Sequence, residues 1–439
     1  MTRLHRTLGF WALVSYGLGD ILGAGIYALM GKVAGVAGVH AWLAFAVSLL
    51  AAAITALAYS ELVNRFPRSG GEAFYAEQGF GVPLVSAVTG WLVFCAGTLS
   101  LSAIAVVFAG YVTNGLPSLP APLVTAIFLV VLGLVNFRGI RESSTANIVC
   151  TIVEASGLVL VIVVGCLHLL GGPGSPAETS MTATPPPAAA LDLSAVDPVR
   201  VMQGAALAFF AFIGFQDMVN VAEEVREPER IFPAAILTAL GVAGLAYVAV
   251  ALVATSVVAP EVLGRSSAPL TEVVRTAAGG RLERVFPWIA MFAVANTGLL
   301  NFIMASRLLY GMARQDLLPA PLARVHAGRR TPHWAILTVL VTALALALSG
   351  TLGYLAGATS TLLLIVFTVV NLALVRVKRR EGGTRSPGFR IPTVVPWVGV
   401  CITLAVIGFA DPSVLWTAAG LIAIGAGLFG LQRMRRPRG

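Results

Sequence analysis

Apolar residues in this chain come neither in strict alternation nor at a helical period. They come in unbroken runs of roughly 20 residues, the length a helix needs to cross a hydrocarbon layer. Twelve such runs lie at about Leu8–Val33, Val39–Asn64, Val82–Val112, Leu123–Phe137, Ala146–Leu170, Val199–Glu223, Ile231–Val258, Phe286–Met312, Trp334–Ser349, Leu352–Val377, Pro392–Phe409 and Ser413–Leu431. They predict an all-α integral membrane protein with twelve transmembrane helices, because an internally hydrogen-bonded helix satisfies its own backbone in lipid.

The first and sixth runs are interrupted. In the first, Gly23-Ala24-Gly25-Ile26 puts two glycines mid-span, and each costs a helix interior about 1 kcal/mol. The sixth is interrupted at Phe212-Ile213-Gly214-Phe215, with Gln216 and Asp217 just beyond. Unwinding there frees N–H and C=O groups at membrane depth, where protein, water or a ligand must satisfy them. Span one starts on one side of the membrane and span six on the other. Matching breaks therefore predict two five-helix halves of opposite topology: a 5+5 inverted repeat with discontinuous helices 1 and 6, plus two C-terminal helices. The divisions are residues 1–198 for spans 1–5 with an outer linker, 199–380 for spans 6–10, and 381–439 for spans 11–12 and a basic tail.

Composition narrows the class. With 57% hydrophobic and 11% charged residues and a mean hydropathy of +0.88, the chain excludes a soluble domain of its size. A net charge of +9 by itself suits a binder of nucleic acid or anionic surfaces. The arginines, however, fall in alternate short loops, which is the positive-inside signal, so the partner expected is the lipid bilayer and not nucleic acid. With the N-terminus inside, about 22 of the 29 Lys and Arg residues are cytoplasmic, and so are both termini. Arg3 and Arg6 before an apolar run imitate a signal peptide, but the run is too long and holds Asp20, so an uncleaved span is expected.

Cys95, Cys150, Cys166 and Cys401 are far apart within apolar runs and read as packing residues. Gly171 to Pro198 reads as a flexible outer connector, stopped by Asp197-Pro198 as N-cap and first helical residue. Ala259 to Arg284 predicts short helices over the outer mouth, and Phe66 to Gly81 a re-entrant or interfacial elbow.

Asp20, Glu154 and Asp217 lie inside spans, where a charge costs at least about 2.5–3.5 kcal/mol on insertion scales, so each needs a cavity or a partner. Counted from breaks and span ends, the three fall at similar height on the cytoplasmic side of the centre, with Arg307 the one basic candidate at that depth. They are proton-coupling candidates; the plain alternative is hydrogen bonding between helices. A half-helix N-terminus offers N–H groups to an anion and freed carbonyls receive a cation, so a zwitterionic amino acid matches both. Small residues also serve helix packing, which is the plain reading of a lone Gly-x-Gly. Phe209, Phe210, Phe212 and Phe215 are candidates for an aromatic lid, or equally for core or lipid-facing positions. Asn296, Thr297 and Asn301 either line the cavity or bridge helices, and Glu61 and the Glu223-Glu224 pair read as solvated helix ends. No nucleophile motif, metal-ligand cluster or phosphate loop stands out, so neither an enzyme nor a cofactor is expected.

Four stretches carry a resemblance: GLGDILGAGIY at Gly17 to Tyr27, YSELVNRFPRSGGEAFYAEQGFG at Tyr59 to Gly81, FFAFIGFQDMVNVAEEVREPERIFPAAI at Phe209 to Ile236, and ASRLLYGMARQDLLP at Ala305 to Pro319. In this order and spacing the chain resembles amino acid permeases of the amino acid/polyamine/organocation superfamily. The resemblance implies a substrate between spans one and six, with Gly23, Ala24 and Gly25 at its carboxylate. It places backbone around Phe212, Ile213 and Phe215 at the α-amino group and an aromatic of span six at the outer gate. Ile21, Ile26, Phe210 and Gly214 complete the candidate substrate-binding set. Two departures stand out: Glu154 aligns where several proton-coupled relatives have a lysine, and Gln216 follows the IGF turn where relatives often have an acid, Asp217 being displaced by one.

The expected function is secondary active transport of an amino acid across the cytoplasmic membrane by alternating access, with a proton as coupling ion. An exchanger, or a carrier of polyamines or cationic amino acids, is the alternative that the three intramembrane acids favour. A membrane amino-acid sensor is the alternative of another class, for which the short basic tails provide no soluble output domain.

Overall fold

Prolines and glycines set most of the helix boundaries. The computed structural model describes residues 8–66, 71–139, 144–171, 190–315, 318–326, 328–381 and 388–435. Arg3, Arg6, Arg68, Arg141, Arg385, Arg436 and Arg438, with Pro67, Gly70, the 172–189 part of the outer linker and the side chains of Glu223 and Glu224, lie outside the described residues. The helices are α1 (Phe10–Ile21), α2 (Ala24–Ala37), α3 (Ala41–Arg65), α4 (Gly71–Phe80), α5 (Pro83–Gly115), α6 (Ala121–Arg138), α7 (Ser144–Leu169) and α8 (Pro198–Ala208). Two 3-10 segments, Phe209–Phe212 and Phe215–Glu224, lead into α9 (Pro228–Val257), α10 (Pro260–Arg265), α11 (Pro269–Ala277), α12 (Gly280–Arg314), α13 (His333–Ser349), α14 (Leu352–Arg380), α15 (Val394–Gly408) and α16 (Pro412–Arg435).

Among the described residues nine helical stretches are long and apolar enough to cross a membrane, α2 through α3 counting as one, and α13 and α15 are shorter apolar helices. The Asp197 carboxylate caps α8, accepting from the Val199 and Arg200 N–H groups at 2.9 and 3.2 Å, as Asp-Pro predicts. The expected short helices of the 259–284 loop are α10 and α11. Gly264 of α10 presses on Gly35 of α2, and Lys32 Nζ donates to the Gly264 carbonyl at 2.8 Å.

The most enclosed helices are α5 and α14, with 78% and 83% of their apolar windows buried, against 17% for α16, whose apolar surface faces outward as lipid contact requires. The polar elbow becomes α4, which docks on the basic end of α14. A methyl on Gly79 would lie 2.5 Å from the Ala373 Cα, and the Arg376 guanidinium sits 4.7 Å from the Phe80 ring centroid.

Two expectations need correction. Glu61, read as a solvated helix end, is wholly buried. Its Oε2 pairs with Lys378 Nζ at 2.8 Å and accepts from the Ile391 N–H at 3.0 Å, while Oε1 pairs with Arg65, which also pairs with Glu381. Helix α3 ends against α14 and the segment before α15, so the carboxylate meets protein cations where water was expected. The packing role assigned to the cysteines holds for Cys95; Cys150 is half-buried, and Cys166 and Cys401 are exposed on helix faces.

Candidate functional site

The two breaks lie against each other. Helix α1 stops at Ile21, Gly23 takes φ −61° and ψ −138°, and α2 starts at Ala24. At the second break Ile213 is extended and Gly214 has φ +126°, a left-handed conformation that glycine alone adopts without strain. A methyl on Gly25 would come 2.5 Å from the Ala211 Cα, and one on Gly214 would come 2.6 Å from the Asp20 carbonyl oxygen. The glycines are therefore required at this spot for close approach, not for helix packing at large.

The freed backbone groups are held by side chains, those of Thr297 and Tyr247 from other helices and that of Gln216 from the break itself. The Ala24 N–H, the first of α2, donates to Thr297 Oγ1 of α12 at 2.9 Å, and that hydroxyl donates to the Ala293 carbonyl at 3.0 Å. The Tyr247 hydroxyl of α9 donates to the Ile21 carbonyl, which α1 leaves open. The Gly214 N–H donates to Gln216 Oε1 at 3.0 Å, and Gln216 Nε2 donates to Asp217 Oδ2 at 3.2 Å. Tyr111 and Tyr27 extend the network, their hydroxyls donating to the Tyr27 and Glu154 carbonyls at 3.0 and 2.8 Å. A buried polar group left without a partner costs about 1–3 kcal/mol, which is why hydroxyls gather where the helices come apart.

The candidate residues separate into a closed and an open set. Ile21, Gly23, Ala24, Gly25, Ile26, Phe210, Phe212, Gly214 and Phe215 are all buried, and Ile213 is half-buried. Gly23 is sealed by Thr297, whose Oγ1 would lie 1.8 Å from a methyl placed there. Ile213 lines a cavity of about 480 Å³ that opens beneath the second break, together with Gln216, Asp217, Glu72, Asn301 and Arg307. The span-six aromatics are core residues: Phe212 packs edge-on against Tyr247, and Phe209 and Phe215 against Phe367, with ring centroids 5.3 to 5.8 Å apart.

The three intramembrane acids do not form one group. Asp217 has Asp20 and Glu72 as acidic neighbours, and Glu72 accepts from the Tyr59 hydroxyl at 3.1 Å. Glu154 stands apart on α7, wholly buried. Its Oε1 accepts from Asn296 Nδ2 at 2.9 Å, and its Oε2 has no hydrogen-bond partner among the described residues. Arg307 shares the cavity with Asp217 and Glu72 and forms no ion pair among the described residues.

Sequence reasoning missed Glu72, Tyr247 and Tyr111. A carboxylate in a polar elbow looks solvated, and a single tyrosine in an apolar run looks like core. Both signals become meaningful only once the breaks are in place beside them.

An uncharacterized transporter of Mycobacterium tuberculosis (strain ATCC 25618 / H37Rv) is 31% identical over 99% of this chain and 93% of its own length. A methylthioribose transporter of Bacillus subtilis (strain 168) is 26% identical over 96% of this chain and 92% of its own length. A branched-chain amino acid permease of the same strain is 26% identical, covering 76% of this chain and 72% of the relative. The relatives are transporters, not enzymes, and the protein is a multi-pass membrane protein. A family model described as amino acid permease matches residues 8–430, across both breaks and every apolar helix, and the chain belongs to the amino acid permease family.

Proposed function

We propose that this permease is a secondary active transporter of an amino acid in the cytoplasmic membrane, with twelve spans, a 5+5 inverted repeat, both termini cytoplasmic, and proton-coupled alternating access. The observation that carries the reading is the junction of the two breaks, where the N–H of Ala24 and the carbonyl of Ile21 are held by exchangeable hydroxyls, those of Thr297 and Tyr247. A substrate carboxylate takes the place of the Thr297 hydroxyl at the start of α2, where the helix dipole favours negative charge. The substrate ammonium goes to carbonyls of the second break around Phe212, Ile213 and Phe215. The cavity of about 480 Å³ beneath the break, at the end where Arg65, Arg314 and Arg380 lie, is then the inward route.

Counterflow in proteoliposomes, with and without a pH gradient, tests the reading on a panel of amino acids, polyamines and 5-methylthioribose. Amino-acid counterflow supports it; counterflow of the thiosugar alone overturns the substrate class. The acidic neighbours Asp217, Asp20 and Glu72 favour an amino acid with a cationic side chain as the second reading, and the same panel reads it.

Glu154 is the proposed proton carrier, because its Oε2 is buried with no donor against it among the described residues. Glu154→Gln keeps the shape and the Asn296 contact but cannot exchange a proton. The expected result is retained counterflow with loss of pH-driven accumulation; accumulation that still follows the pH gradient removes Glu154 from this role.

Thr297→Val leaves the Ala24 N–H without an acceptor in the substrate-free protein. The expected result is a loss of about 1–3 kcal/mol in the absence of substrate, and a larger stabilisation by substrate than in the parent, because the carboxylate then supplies the missing acceptor. Melting curves with and without substrate read both effects.

A further inference from the structure

A second cavity, of about 570 Å³, lies along the first turns of α14, on another face of the helix, and among the described residues shares no lining residue with the one beneath the break. Helix α14 divides the two. It turns Gly357 and Thr361 to this cavity and Thr359 and Leu363 to the other, and residues two apart on a helix point about 200° away from each other. The outer wall is the turn between α15 and α16, and the opposite wall is α8, the half-helix that leads into the second break.

The lining has a definite chemistry. Among the described residues that line it, Asp411 is the one charged residue, with no Lys or Arg beside it. The carboxylate is fixed by Ser413, whose hydroxyl and N–H both donate to Oδ1, at 2.5 and 2.8 Å. Those bonds leave Oδ2 as an available acceptor and hold the Asp411 carboxyl below the usual carboxylate range, so it is anionic at neutral pH. Gln203, Thr351 and Thr361 add neutral polar groups, and the Tyr354 hydroxyl is positioned by Thr417 Oγ1 at 2.6 Å. Leu207, Phe409 and Val414 supply an apolar wall. One fixed negative charge, neutral hydrogen-bonding groups and an apolar surface together select a small organic cation and reject an anion of the same size.

We propose that this cavity is a second ligand site, for a small amphipathic ammonium compound held by Asp411 with its hydrocarbon part against Leu207 and Val414. It is independent of the site at the breaks. Occupancy bridges α8 to the α15–α16 turn.

The test is calorimetric titration of the purified full-length protein with n-butylammonium, with butyrate and n-butanol as controls. Butylammonium is expected to bind and the two controls are not. Asp411→Asn, which keeps a side-chain acceptor for capping α16, is expected to weaken binding about tenfold or more through loss of the charge. Leu207→Trp, which fills the cavity, is expected to abolish binding. Gly241→Ala in α9, which does not line this cavity, is expected to leave it unchanged. Butyrate binding as well as butylammonium overturns the proposal, as does parental affinity in both Asp411→Asn and Leu207→Trp. Loss of binding in Asp217→Asn with Asp411→Asn unaffected places the amine in the cavity beneath the second break and overturns it too.

Discussion

Gly25→Ala is expected to abolish transport by a protein that still reaches the membrane. The added methyl meets the Ala211 Cα at 2.5 Å, and a main-chain atom cannot rotate aside. Inserting such a group into a packed interior costs roughly 1–3 kcal/mol, and here the relief available is separation of the two breaks. Separation takes the start of α2 away from the carbonyls of the second break, so at the proposed site the carboxylate and ammonium of one substrate no longer reach both. Gly214→Ala is expected to act the same way, since it adds left-handed strain of about 1–3 kcal/mol to a 2.6 Å approach to the Asp20 carbonyl. Gly241→Ala in α9 is the control: nothing lies within 4 Å of its methyl, and an alanine in a helix interior is favoured by about 1 kcal/mol. Uptake and detergent melting curves of the three variants, side by side, read the contrast. Parental uptake by Gly25→Ala contradicts the close approach.

Glu61→Gln is expected to be the most destabilising single substitution at the basic end of the bundle. The wholly buried carboxylate holds Lys378, Arg65 and the Ile391 N–H together, and with them α3, α14 and the segment before α15. Removing one partner of a buried pair costs about 3–5 kcal/mol, because the remaining cations keep their desolvation without their counter-charge. Glu272→Gln serves as comparison: it breaks a pair whose arginine, Arg275, is 56% exposed, and such pairs contribute about 0–1 kcal/mol. A marked fall in melting temperature for Glu61→Gln and almost none for Glu272→Gln is the expected pattern. Equal melting temperatures would show that the network holds nothing together.

Gly23, Gly25 and Gly214 were legible in the sequence because a glycine inside an apolar run conflicts with the helix around it, and that conflict is local. The Asp197-Pro198 start of α8 and the short helices α10 and α11 were legible for the same reason. Glu61 was not, because burial at a helix end depends on which other helix arrives there, and Lys378 is more than 300 residues away along the chain. Thr297 was named as one of three polar residues of its span, yet its link to Ala24 depends on the register of α12 against α2. Asp20, Glu154 and Asp217 were placed at one height from counted helix rise. Counting gives depth but not direction around the bundle, and the structure sets Glu154 beside Asn296 and Asp217 near Asp20 and Glu72.

The most direct measurement of the central claim uses Ile213→Cys in a background with the four native cysteines replaced. Ile213 is the one residue of the second break that lines the cavity, so its thiol is open to a water-soluble maleimide. If substrate sits between the breaks, a transported amino acid at saturating concentration slows labelling, and an amino acid that is not transported leaves it unchanged. Labelling that proceeds at the same rate with and without a transported amino acid contradicts a substrate site at this junction.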